Sequence, residues 1–271
     1  MKRIINSESC IDIEKSGQKN IDLDNNRSRF ILKNRFRTIA GNKRLGTVWV
    51  VLDPVVMSLV YCLVFSVLRS RVDPESLFIG ITLWNLTTVA VMSGLSSVQD
   101  FTGGIKCERV STVALITPMI QFRLIDSLSR SIGVALILYF YYQIPFEGVL
   151  ILLFVSQLIG IIFEGVSLNL SSLQRRFADL KIIINHFLRM MFFAGPVLYS
   201  MKSISGIHYK INEFNPFTYF VELVRNVSDV ENNFTELDDR IFLAYFIILL
   251  LLAIRGYSRI DNHRWELSTW S

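Results

Sequence analysis

Hydrophobic residues along this chain are grouped into long blocks instead of alternating with polar ones. Apolar runs occupy residues 48–68, 77–98, 117–142, 148–170, 182–199 and 241–254. A helix rises 1.5 Å per residue and needs about 20 apolar residues to cross about 30 Å of hydrocarbon. The pattern predicts an all-α integral membrane protein with six transmembrane helices. The first run is interrupted near its start by Asp53 and Pro54, and the second contains Trp84. The third opens at Thr117 and Pro118, an N-cap residue followed by proline at the first helical position. Its early turns carry Arg123, Asp126 and Arg130, so only its later part is expected deep in lipid. The sixth run has 14 residues and must recruit its flanks or lie where the bilayer is thin.

Two further segments have helical spacing without the length to span. Residues 27–44 hold seven basic side chains and no acidic one. Leu32, Phe36 and Ile39 follow the i, i+4, i+7 spacing of one face, beside a stripe of Arg29, Lys33 and Arg37. An amphipathic helix over 27–46 is expected, either lying at anionic headgroups or serving as a basic linker that sets topology. Residues 1–26 are polar and mixed in charge, with no signal-peptide core, and are expected as a polar tail. Residues 211–227 alternate apolar and polar positions, with Asn215 and Pro216 starting a helix. This segment is too short and too charged to span, and reads as a re-entrant or interfacial element, or as an external loop helix.

Composition changes the picture in one respect. Of 271 residues 51% are hydrophobic but only 19% are charged, and the mean hydropathy is +0.42, which excludes an ordinary soluble enzyme. Three cysteines, Cys10, Cys62 and Cys107, make no disulfide framework. The net charge of +5 matters through its distribution. Lys106 and Arg109, then Arg175, Arg176 and Lys181, then Arg255, Arg259 and Arg264 fall in alternate links with the basic segment 27–44. The intervening links are poor in Lys and Arg, and residues 200–240 carry seven acidic side chains against four basic ones. Both termini, including a tail over 256–271, are therefore expected in the cytoplasm, with 47–255 forming the transmembrane domain.

Candidate chemistry is sparse. There is no GxxxxGK[ST] phosphate loop, so neither ATP nor another cofactor is expected on this chain. His186, His208 and His263 are isolated, and HExxH, CxxC and GxSxG are absent. No catalytic or metal-binding residue is expected, and nothing suits a nucleic acid partner. What remains are polar groups within apolar runs, which are costly in lipid and face protein or a water-filled path. Glu164 and Arg189 lie at comparable depth, roughly 12 to 17 Å from the cytoplasmic ends of their runs. They are expected to form a structural ion pair; otherwise Arg189 attracts an anionic substrate. Asp126 and Arg130 form a local i, i+4 pair. Aromatic residues cluster at Tyr139–Tyr142 and at Phe192, Phe193 and Tyr199, as belt anchors or as a sugar-stacking lining. The candidate substrate path is Trp84, Tyr139, Tyr142, Phe192, Tyr199 and Arg189.

Taken in order, these motifs resemble a known family. LGTVWVVLDP after the basic helix, Gly80 and Trp84, GIKCERV from Gly104, RRFADL from Arg175, GPVLY from Gly195, and Asn215, Pro216 and Arg225 are similar to the membrane subunits of polysaccharide ABC exporters of the second exporter type. Ser111 stands where that family usually has proline, Arg176 is separated from Asp179, and Asp53 replaces a frequent glutamine. The resemblance implies the permease subunit of an exporter for a lipid-linked polysaccharide such as O-antigen, capsule or teichoic acid, in a bacterial or archaeal inner membrane. It implies a homodimer enclosing a channel, with two copies of a separate ABC ATPase that carries ATP and Mg. Residues 100–111, with Lys106, Glu108 and Arg109, would be the coupling helix, and the basic helix with Arg35 and Arg37 would also touch the ATPase. A lipid or drug exporter of the same fold, or a membrane-embedded glycan transferase, are the alternatives.

Overall fold

The computed structural model describes residues 17–40, 48–67, 73–100, 112–228 and 239–260. Among them every regular element is helical: α1 Gly17–Ala40, α2 Val48–Val67, α3 Pro74–Asp100, α4 Thr112–Phe140, α5 Phe146–Leu168, α6 Ser171–Arg176, α7 Leu180–Ala194, α8 Ile207–Glu213, α9 Pro216–Val227 and α10 Asp239–Ser258. Four are long and apolar enough to cross a membrane: 48–65 of α2, 74–97 of α3, α5, and 240–258 of α10. Helices α4 and α7 fall short of that measure. Arg123, Asp126 and Arg130 interrupt the apolar surface of α4, and α7 has 15 residues with Lys181 and Arg189 among them.

Several boundaries differ from expectation. Residues 17–26, expected within the polar tail, are part of α1. Helix α4 starts at Thr112, so Pro118 lies inside it and not at its first turn. Proline lacks the N–H that would bond the carbonyl four residues back. That carbonyl belongs to Ala114, and it accepts instead from the Ser28 hydroxyl of α1 at 3.1 Å. The run expected to reach Tyr199 stops at Ala194 because Gly195 is extended and Pro196 follows. Tyr199 therefore lies in the cap beyond α7. Helix α9 begins where its sequence signal stands, with Pro216 at its first position and the Asn215 side chain accepting from the Phe217 N–H at 3.1 Å.

Helix α5 is the centre of the bundle, packed against α3, α4, α9 and α10. Its sides are shaped by glycine. A Cβ on Gly94 of α3 would collide with the Ser167 hydroxyl and the Glu164 carbonyl, and one on Gly256 of α10 would collide with the Gly165 carbonyl. The main core joins Leu77, Ile79, Leu83 and Leu86 of α3 to Leu152, Val155 and Ile159 of α5 and Phe217, Phe220 and Val224 of α9. A second cluster seats Ile31 of α1 against Ala114, Leu115 and Met119 of α4 and Tyr257 and Ile260 at the end of α10. By contrast α2 is packed on one side only, leaving Trp49, Leu52, Val56, Leu59 and Leu63 exposed.

Candidate functional site

The polar residues of the apolar helices fall into two groups, a buried chain of ion pairs and the wall of a cavity. The chain starts where α4 crosses α5. Arg123 lies over Gly160, where a Cβ would come within 3.1 Å of its side-chain methylene, and is 1% exposed. Its Nε and Nη2 donate to the two carboxylate oxygens of Glu164 at 3.0 Å each, and its Nη1 donates to Asp126 at 3.0 Å. The Ser93 hydroxyl donates to Glu164 at 2.9 Å. One helical turn on, Arg130 Nε donates to Asp126 at 3.1 Å, and its Nη1 donates to the Asn85 side-chain oxygen at 3.2 Å. The Asn85 Nδ2 donates in turn to Asp53 of α2 at 3.0 Å, and Arg130 lies 3.8 Å from the same carboxylate. Four helices are thereby stitched together by a polar network that is buried at Arg123, Asp126 and Glu164 and half exposed at its Asp53 end.

This corrects the expected pair of Glu164 with Arg189. Depth along two helices says nothing of the direction each side chain faces, and Glu164 faces α4, not α7. The Asp126–Arg130 pair is present as its spacing indicates. The partner of Glu164 is Arg123, which depth along the helices does not identify. The signals for it were the i, i+3, i+7 series Arg123, Asp126, Arg130 and the Gly160–Glu164 spacing that opens one face of α5.

Arg189 stands elsewhere, on a cavity of about 400 Å³ between α2, α3 and α7. Met57 and Tyr61 of α2, Trp84, Asn85 and Thr88 of α3, and Asn185, Arg189 and Phe192 of α7 help to line it. The rings face one another: Phe192 lies 5.2 Å from Tyr61 and 6.4 Å from Trp84 between centroids. Among the described residues no hydrogen bond or ion pair engages the Arg189 guanidinium. Lys181, Asn185 and Arg189 follow one another at i, i+4, i+8, and Lys181 donates to Ser96 of α3 at 2.8 Å. One face of α7 thus carries polar groups from its start to the cavity.

Of the six candidate path residues, Trp84, Phe192 and Arg189 converge on this cavity and three do not. Tyr139 is exposed at the end of α4 beside Phe140 and Phe146. Tyr142 packs on Phe78 in the turn after α4. Tyr199 belongs to the cap, where its hydroxyl meets His208 Nε2 at 2.6 Å and the Ala194 carbonyl; burial raises its pKa. In the same cap Arg225 of α9 donates to Glu222 at 3.0 Å and to the carbonyls of Ser76, Pro196 and Tyr199, tying the outer helices to the start of α3. Gly80 leaves room for this, since a Cβ there would meet the Val197 carbonyl and Arg225. Arg35 lies 5.8 Å from the Phe122 ring centroid, Arg37 is exposed in the last turn of α1, and Lys106, Glu108 and Arg109 lie outside the described residues.

No group of three or more His, Cys, Asp or Glu side chains among the described residues is arranged to hold a metal ion. The arrangement is suited to receiving an amphiphile with an anionic part: apolar and aromatic walls and, in the lining, an arginine that no described side chain neutralises.

Comparison with known proteins agrees with this membrane architecture. Residues 28–228 match the family described as ABC-2 type transporter. The chain is 30% identical over 182 residues to the O-antigen export system permease protein RfbA of Myxococcus xanthus, covering 64% of this chain and 66% of that relative. With several apolar helices and this match across most of its length, the chain belongs to the ABC-2 type transporter family of multi-pass membrane permeases.

Proposed function

We propose that this chain is the transmembrane subunit of an ATP-driven exporter that carries a lipid-linked polysaccharide outward across the inner membrane. In this reading α4 and α7 complete six spans, both termini are cytoplasmic, and two copies enclose the path. ATP and Mg are held by two copies of a separate ABC ATPase, to which the segment of Lys106, Glu108 and Arg109 and the helix of Arg35 and Arg37 are presented.

The observation that carries the reading is the unneutralised Arg189 on a cavity walled by Trp84, Tyr61 and Phe192. If α7 spans as proposed, Arg189 lies within the bilayer, where an arginine costs about 2.5 to 3.5 kcal/mol on insertion scales, and one that gains no partner from its own chain is suited to a ligand. Anionic groups suit the guanidinium, and the apolar faces of sugar rings suit the aromatic walls. The O-antigen export relative supports a glycan over a drug or a simple lipid.

The test is to replace Arg189 by glutamine in cells that depend on this chain for surface glycan. Surface glycan falls about tenfold and lipid-linked glycan accumulates on the cytoplasmic side, while the amount of membrane-inserted chain is unchanged. Unchanged surface glycan in Arg189→Gln, with the variant inserted in normal amount, would overturn the reading.

A further inference from the structure

The ion-pair chain has two ends. Next to one of them α1 is seated on the first half of α4. Ser28 donates to the Ala114 carbonyl, the Phe36 ring meets Phe122 edge-on at 5.1 Å, and the Arg35 guanidinium lies 5.8 Å from the Phe122 centroid. Phe122 directly precedes Arg123. The other end is Asn85 in the cavity wall, whose side-chain amide is held by one bond at each polar atom, Oδ1 by Arg130 and Nδ2 by Asp53. Asn85 is thus anchored to α2 and α4 while it forms part of the wall.

We infer that Arg130 is a positioning residue through which displacement of α1 is passed to the cavity wall. Arg130 is the sole side chain among the described residues that joins the Asp126 end of the buried chain to both Asp53 of α2 and Asn85 of α3. At 11% exposure it is shielded from water, which would otherwise take over these hydrogen bonds and let the helices slide independently. Charged hydrogen bonds between buried groups are directional and costly to break, which holds Arg123 to Glu164 and Asp126, and Asp126 to Arg130; Arg130 extends this to the partly buried Asn85 of the wall. The inference rests on the reading of the chain as driven by a separate ATPase through its cytoplasmic face.

The full chain is assembled with a tryptophan-free ABC ATPase in liposomes, with Trp49, Trp265 and Trp270 changed to phenylalanine so that Trp84 alone reports on the cavity. In the otherwise unaltered chain, adding ATP and Mg shifts the Trp84 emission. In Arg130→Gln the shift falls about tenfold, within the usual range of a coupling between sites, while ATP hydrolysis stays within about twofold. Arg130→Lys recovers part of the shift. A full shift in Arg130→Gln overturns the inference and leaves the exporter reading standing. Absence of any nucleotide response in the unaltered chain overturns the exporter reading and the inference with it. Should Arg130→Gln not fold, Asp53→Ala removes the acceptor of Asn85 and the outermost, half-exposed rung, and the same loss of response is expected; a full shift in Asp53→Ala overturns the inference.

Discussion

Arg123 and Glu164 form a bidentate ion pair between α4 and α5, with both bonds at 3.0 Å and the two side chains 1% and 0% exposed. Burying two charges costs as much as their attraction returns, so the pair specifies how the helices meet more than it stabilises them. Losing one partner is different, because it strands the other in a dry interior. Glu164→Gln and Arg123→Gln are each expected to destabilise the chain by about 3 to 5 kcal/mol. The double variant Arg123→Gln with Glu164→Gln is expected to cost less than the sum, since neither change then strands a charged partner and Asp126 keeps Arg130. Thermal unfolding in detergent of the two single variants and the double variant checks this; strict additivity would mean the pair is not coupled.

Pro118 and Ser28 make a second coupled pair, by way of the Ala114 carbonyl. Ser28→Ala removes the donor that this carbonyl uses, an expected loss of about 1 kcal/mol. In a Pro118→Ala background the helix supplies its own N–H to Ala114, and Ser28→Ala should become nearly neutral. Unfolding midpoints of the four combinations give the coupling directly.

Gly94 sets the approach of α3 to α5. Gly94→Ala places a methyl group against the Ser167 hydroxyl and the Glu164 carbonyl, and overpacking of this kind costs about 1 to 3 kcal/mol. Adding Ser167→Ala relieves only part of it, because the backbone carbonyl remains. A Gly94→Ala variant with unaltered unfolding would mean that the two helices are not in close contact there.

The sequence made the block pattern readable, with α2, α3, α5 and α10 standing close to their apolar runs. It also showed the start of α9, because Asn215 and Pro216 signal through local chemistry. The Asp126–Arg130 pair was legible for the same reason, as both ends lie on one helix. Glu164 and Arg189 were matched by depth alone, and depth leaves the rotation of each helix free; only the packing of Gly160 against Arg123 decides it. The start of α4 was misplaced because Thr117–Pro118 reads as a helix beginning. A proline is tolerated within the helix where a neighbouring side chain takes the freed carbonyl, and Ser28 lies 86 positions away in the chain. Tyr199 shared an aromatic run with Phe192, but Gly195 and Pro196 end α7 between them.

The central claim is that the exported glycan passes the cavity of Trp84, Phe192 and Arg189. A photoreactive amino acid at Val89, which lines the cavity, tests it against one at Tyr139, which is exposed outside it. In cells fed a radiolabelled sugar precursor of the surface glycan, illumination should join labelled lipid-linked glycan to the chain at position 89 and not at position 139, and Arg189→Gln should reduce the adduct about tenfold. Equal adducts at the two positions, or none at position 89 while export continues, would contradict the account.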